Sequence, residues 1–387
     1  MDDGTPPIVR DAEDACRQRD PLALMLMASA YCDSLTDRPL DALLTEEKEE
    51  VDFEELAASF VTSGFPAMTA LARAMAILFE DRDVGERVLA ATPAMMGRPL
   101  WVPTMHKIEV TNTLVQSDVL NDGINVVVSF RWPAGGAASA VVYIDHNMGT
   151  VVKDAFVVPL SFDQMLEIYE DTEGQHLTKE PISFADARAH IEGAIETYER
   201  SWPPIETDTW PMCRPFVDWL LGHLPEGGAR IEHPEVSEAE REAVIDAFVA
   251  DRGASFDGVS ADDLRLLVSP LIDFACDYGP GDPLRWSATS AEIVLADWYA
   301  RKVFGLDDDL MRRLPDALEH LVRHAHALRS IPSELTDDAV ASILEWTPEY
   351  LDALDQPRSP TGNAEDMAQI LCDATRKRTD DADDIID

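Results

Sequence analysis

Between Ile108 and Phe156 the apolar residues of this chain recur at every second position, whereas on either side they recur every three or four. That change of period constrains the fold most, because strand side chains alternate between two faces while helical ones return to one face after about 3.6 residues. Ile108, Val110, Asn112 and Leu114 alternate, then Ile124, Val126, Val128 and Phe130, then Ala140, Val142 and Ile144, then Val152, Asp154 and Phe156. Three links rich in turn formers separate them: Asn121-Asp122-Gly123, Pro133-Ala134-Gly135-Gly136 and His146-Asn147-Met148-Gly149. The pattern predicts a four-stranded antiparallel β-meander over 104–158, and a sheet that small needs helices to cover it.

The rest of the chain reads as helix. Over 7–99, Asp52 and Glu55 have the spacing of a capping box, followed by Phe53, Leu56, Phe60 and Val61 at helical intervals. Phe65 to Phe79 repeats the pattern. Helices resume over 161–224, and further cap pairs continue down the chain: Ser161 with Gln164, Ser183 with Asp186, Ser237 with Glu240, Ser260 with Asp263 and Thr289 with Glu292. The Pro- and Trp-rich run from Trp202 to Pro215 is expected to break the chain, with a domain boundary between it and Gly227-Gly228. Helices near 237–251, 261–277, 289–304, 309–329 and 336–356 then form a bundle or an array of helix hairpins, with Pro270 and Pro348 each opening a new helix. The expected class is thus α+β, mostly α. An N-terminal α+β domain spans 1–225, an all-α domain spans 229–356, and 357–387 reads as a disordered acidic tail.

Charge bears on partners. Asp and Glu total 74 against 31 Lys and Arg, a formal net charge of −43. Nucleic-acid affinity comes largely from Lys and Arg displacing counterions, so nucleic acid is excluded as a partner, and anionic membrane surfaces with it. A basic protein surface is the partner this charge favours. The acidic start, MDDGTPPIVRDAED, lacks the order of a secretory signal, and the run from Leu22 to Cys32 is too short to span a bilayer. Five dispersed cysteines without Cys-x-x-Cys spacing point to free thiols and a cytoplasmic location.

Two groups of residues have chemical potential. Asp145 and His146 fall at the last hairpin turn, with Lys153 and Asp154 a little way down the returning strand. A histidine beside carboxylates can serve as general base or metal ligand, and an exposed cross-strand ion pair is the simpler alternative. His320 and His324, four apart on a helix, have the spacing of a metal-binding pair, but His326 falls on the other side, so a third ligand must come from elsewhere. The acidic turn from Asp273 to Trp286 lacks the alternating oxygens and closing Glu of a calcium loop, and reads as a structured turn with Arg285 paired to an Asp. No P-loop, Gly-x-Gly-x-x-Gly or Gly-x-Ser-x-Gly motif is present, and no cofactor is implied.

Val142-Tyr143-Ile144-Asp145-His146-Asn147 with Lys153-Asp154-Ala155-Phe156, and Asp282-Pro283-Leu284-Arg285-Trp286 with Asp297-Trp298, resemble uncharacterised proteins of high-GC Gram-positive bacteria. That group has no assigned activity, so the resemblance implies no catalytic residues. The expectation is a non-enzymatic acidic protein-binding or scaffold protein. The alternative is a metal- or small-molecule-dependent hydrolase with its site at the 145–154 hairpin.

Overall fold

The computed structural model describes residues 6–35, 51–92, 101–133, 135–171, 176–201, 207, 209–252, 256 and 258–356. The acidic tail expected at 357–387, and Cys372 within it, lie outside the described residues. The protein is mostly helical α+β, with N-terminal helices, an antiparallel sheet and C-terminal helices. It divides into two compact units that change over between Glu232 and His233, the turn residues Leu120–Asp122 and His146–Gly149 grouping with the second. No helix among the described residues is long and apolar enough to cross a membrane.

The first unit opens with α1 (Pro7–Gln18), α2 (Pro21–Ser34), α3 (Phe53–Thr62), α4 (Pro66–Leu78) and α5 (Arg82–Ala91). Asp52 caps α3 as its spacing predicts, accepting from the backbone N–H groups of Glu54 and Glu55 at 2.7 and 3.3 Å. α4 is buried along nearly its whole length, and alanines at 67, 70, 72, 74 and 76 let its neighbours approach closely.

The strands are β1 (Glu109–Asp118), β2 (Gly123–Arg131), β3 (Ala137–Asp145) and β4 (Val151–Val158), paired as the expected meander. A fifth strand, β5 (Leu177–Pro181), pairs antiparallel with β1 and corrects the expected four. Its five residues have no apolar alternation, and they fall where only helix was expected. Its order comes from completing the ladder of β1, and Pro181 is tolerated because β5 is an edge.

Two bulges divide the alternating residues between the faces. One lies between Val110 and Asn112 of β1, the other opposite Tyr143 and Ile144, where Lys153 is the extra residue of β4. Val110 and Leu114 consequently lie on opposite faces, as do Val152 and Phe156. One face carries Val126, Val128, Phe130, Ala140, Val142 and Ile144 into the main core. α7 (Phe184–Arg200) crosses β1 to β4, and α8 (Trp210–Leu221) packs on β4, α2 and α4. On the other face Leu114, Val127 and Val141 lie beneath Met165 of α6 (Phe162–Asp171). Residues 202–206 and 208 of the Trp202–Pro215 run lie outside the described residues. Trp210 to Pro215 form the opening turns of α8, whose Trp210, Phe216 and Trp219 are core residues.

The second unit contains α9 (Glu238–Arg252), α10 (Ala261–Asp277), α11 (Ala288–Ile293), a π turn (Val294–Trp298), α12 (Tyr299–Lys302), α13 (Asp308–Met311), α14 (Leu314–Arg329) and α15 (Ser333–Leu354). Buried tyrosines tie these together, Tyr299 donating to the Leu267 carbonyl and Tyr350 to that of Met311. The cap of α11 is Ser287 with Ser290 in place of Thr289 with Glu292, each serine accepting from the other's backbone N–H at 2.9 and 2.8 Å. Pro270 and Pro348 lie inside α10 and α15 and open no helix. Each proline removes the donor owed to the carbonyl four residues back. Those carbonyls belong to Leu266 and Leu344, whose side chains are exposed, so water can serve them. The hydroxyls of Ser269 and Thr347 add bonds to the neighbouring carbonyls of Arg265 and Ile343.

Of the two glycines of the Gly227-Gly228 junction, only Gly228 is tightly packed. Gly227 has φ +89°, and a Cβ on Gly228 would fall 2.0 Å from the Ala185 carbonyl oxygen, where α7 begins. Backbone cannot swing aside as a side-chain end can. Gly228→Ala is expected to cost about 1–3 kcal/mol, read as a lower urea midpoint at unchanged slope, whereas Gly222→Ala on the same unit, with a nearest approach of 3.2 Å, should cost less.

Candidate functional site

The last hairpin places its four candidate residues differently. In the register of β3 and β4, Asp145 faces Val151 and Ile144 faces Val152, while Tyr143 faces Asp154. Lys153, the bulged residue, brings its Nζ to 3.3 Å from Asp145 Oδ2. This is the cross-strand ion pair of the simpler expectation, except that its carboxylate is buried: the Asp145 side chain is only 3% exposed against 43% for Lys153.

Asp154 has a separate task. Its Oδ1 accepts from its neighbour's N–H at Ala155, 2.9 Å, and from the Thr209 N–H, 3.0 Å, and the Thr209 hydroxyl lies against the same oxygen and the Ala155 carbonyl. Thr209 precedes α8 and makes no side-chain cap of its own. Asp154 therefore fastens the start of α8 to the outer strand of the sheet. His146 is anchored at its backbone, its N–H donating to the Asp122 carbonyl at 2.8 Å, and Asn147 Nδ2 donates to Asp122 Oδ1 at 2.8 Å. Asp145 and Asp154, one held by a lysine and the other by a threonine, do not make the facing pair that general acid–base chemistry uses.

The strand register also lines up a polar row that the sequence pattern does not reveal: Lys179, Gln116, Asn125, Tyr143 and Asp154, one from each of β5, β1, β2, β3 and β4. Asn125 Nδ2 donates to Gln116 Oε1 at 3.1 Å, and Lys179 Nζ lies 5.7 Å from the centre of the Tyr169 ring. The Tyr143 ring leans over Gly123, where a Cβ would meet its hydroxyl at 2.7 Å. The signal for this row is long-range pairing, which no local motif encodes.

The other candidates lie on α14. His320 Nδ1 is 2.7 Å from the Asp316 carbonyl, and His324 Nδ1 is 3.0 Å from Asp251 Oδ2. His320 packs edge-on against Phe256 and His324 against Phe248. His326 is a structural residue with Nε2 at 2.9 Å from the Trp286 carbonyl and Nδ1 at 2.9 Å from Thr336. None of the described residues forms a group of three or more His, Cys, Asp or Glu placed to hold a metal ion. Arginines absorb the acidic turn from Asp273 to Trp286: Asp273 and Asp277 pair with Arg241, and Asp282 with Arg285 and Arg329. Trp286 is fully buried, donating to the Pro283 carbonyl.

Burial is the main influence on the described thiols. Burial, with a smaller push from nearby carboxylates, raises Cys16, Cys213 and Cys276 to about 11 and Cys32 to about 12. Arg241 works against this only at Cys276. A thiol raised this far carries little thiolate at neutral pH and is a poor nucleophile.

No known protein family, curated protein or solved structure matches this chain.

Three outcomes are expected of the groups described above. Asp154→Ala, which removes the acceptor from two N–H groups, should cost about 1–2 kcal/mol, and Lys153→Met, which leaves a buried carboxylate without its cation, a similar amount after discounting for the half-exposed lysine; urea unfolding followed by circular dichroism reads both. At pH 8 a thiol reagent should label Cys16, Cys32, Cys213 and Cys276 slowly in the folded protein and rapidly in urea, with labelling of the folded form accelerating as pH rises towards 11.

Proposed function

We propose that this protein is a non-catalytic binding protein whose acidic surface takes up a basic protein surface. The observation that carries the reading is the distribution of charge among the described residues. Arginines are largely spent on internal pairs, among them Arg188 with Glu192, Arg214 with Glu199, Arg230 with Glu196, Arg265 with Glu242 and Asp246, and Arg312 with Asp355. The surplus of carboxylate remains at the surface. On α15, Asp338, Glu345, Glu349 and Asp352 are exposed, share one side by their helical spacing, and pair with no cation among the described residues. Leu344, 65% exposed, stands on a neighbouring side of the same helix.

Such a surface attracts a basic partner over roughly one Debye length, about 8–10 Å at physiological salt, and raises its association rate. The resemblance to uncharacterised bacterial proteins adds no activity to this reading. At the hairpin, Asp145, Lys153 and Asp154 are engaged with one another or with Thr209, and this argues for the binding reading over the hydrolase.

The test is titration of the full chain with a fluorescent oligoarginine peptide at low and moderate salt. Binding should weaken as salt rises. Replacing Asp338, Glu345, Glu349 and Asp352 together by their amides should weaken it about tenfold, at roughly 0.3–0.5 kcal/mol for each exposed charge. Absence of binding at low salt, or equal loss when four paired carboxylates are amidated instead, would remove the basis of the reading.

A further inference from the structure

We propose that His320 and His324 form a binding site for one divalent late transition-metal ion, such as Zn2+, on α14, with water completing its coordination. This role is separate from the charged surface of α15.

The argument starts from helix geometry. Residues four apart stand on one face, with β-carbons about 5–6 Å from each other, which is close enough for two imidazoles to share an ion. The hydrogen bonds then decide which ring nitrogens are free. A backbone carbonyl can only accept, so His320 Nδ1 must donate to Asp316 and carry the proton. A carboxylate likewise accepts, which makes His324 Nδ1 the donor to Asp251 Oδ2. In each neutral ring the lone pair is therefore on Nε2, the atom through which an imidazole binds a metal.

Donation of the second ring N–H to a carbonyl or carboxylate is also how metal-binding histidines are held and made more basic. Both partners come from fixed positions: Asp316 lies one turn back on α14, and Asp251 lies near the end of α9. Phe256 and Phe248 flank the rings at 5.3 and 5.6 Å between centroids, at angles of 78° and 69°, which limits their rotation.

An independent observation points to an occupant. His324 is 8% exposed, and its buried Nε2 has no hydrogen-bond partner among the described residues. Buried polar atoms are almost always satisfied, so an orphaned lone pair marks a missing donor or ion. The nearby arginines are not poised to repel a cation strongly, because Arg313 pairs with Asp316 and Arg323 with Glu319. Two neutral nitrogens with no third protein ligand among the described residues leave positions for water, and imidazole favours zinc, copper or nickel over magnesium or calcium.

The experiment uses the full chain, titrated calorimetrically with Zn2+ in a large excess of Mg2+ that saturates the surface carboxylates. One Zn2+ per chain should bind, and His320→Ala, at a half-exposed position that can be lost without emptying the core, should abolish that binding while circular dichroism stays unchanged. Asp251→Asn should weaken binding about 10-fold or more. With Cu2+ as the probe, electron paramagnetic resonance should show coupling to two imidazole nitrogens, reduced to one in His320→Ala. Failure of the wild-type chain to bind Zn2+ under Mg2+ overturns the proposal, as does unchanged binding in His320→Ala or a Cu2+ spectrum with oxygen ligands alone.

Discussion

The first unit depends on a run of aromatic contacts that joins the middle of the sheet to a helix eighty residues further on. Phe130 meets Trp132 edge-on at 5.1 Å and Phe216 at 5.9 Å, and Phe216 meets Trp219 edge-on at 5.2 Å. Rings bury more area than any aliphatic side chain, and edge-on geometry adds electrostatic attraction to it. A sheet of this size has one face that must be covered. Because Phe216 and Trp219 belong to α8, the covering depends on where that helix starts, which is the junction that Asp154 and Thr209 secure. The hairpin residues that drew attention as chemistry are thus part of the attachment between sheet and helix.

The same physics explains how so acidic a chain keeps its fold. Cations are scarce, and the structure uses them where carboxylates crowd, as Arg241 does between Asp273 and Asp277, and Lys153 at buried Asp145. Exposed pairs of this kind contribute little stability individually. Their main effect is to relieve repulsion between neighbouring helices, leaving the remaining charge outward. Among the described residues the acidity, Asp145 apart, therefore belongs to the surface, and the cores beneath it are ordinary apolar packing.

Much of the architecture was legible because local rules and tertiary packing agree. The helix starts at Asp52, Ser183 and Ser260 needed only a side-chain oxygen and a free N–H two or three residues later. Where a second partner decides the outcome, local reading fails. Ser287 caps α11 ahead of Thr289, and prolines 270 and 348 survive inside helices because their orphaned carbonyls lie on the wet side. Of the candidate site, the sequence contained the proximity of Asp145 to Lys153 and the shared face of His320 and His324. It gave no sign of Thr209 or Asp251, which are 55 and 73 residues from the groups they bind.

The β-meander marks the division between sequence and tertiary structure most clearly. A period of two suffices to place four strands and three turns, since alternation is a property of a single extended chain. Which face each residue occupies is another matter. One extra residue at Thr111 and one at Lys153 reverse the alternation, so Val110 parts from Leu114 and Val152 from Phe156. A bulge exists only in relation to the partner strand, and β5 only through the ladder of β1. By itself the sequence determined the strands, the helices and the charge. The faces, the fifth strand and the hydrogen bonds that orient the two histidines were decided by tertiary structure, because each depends on a partner distant in the chain.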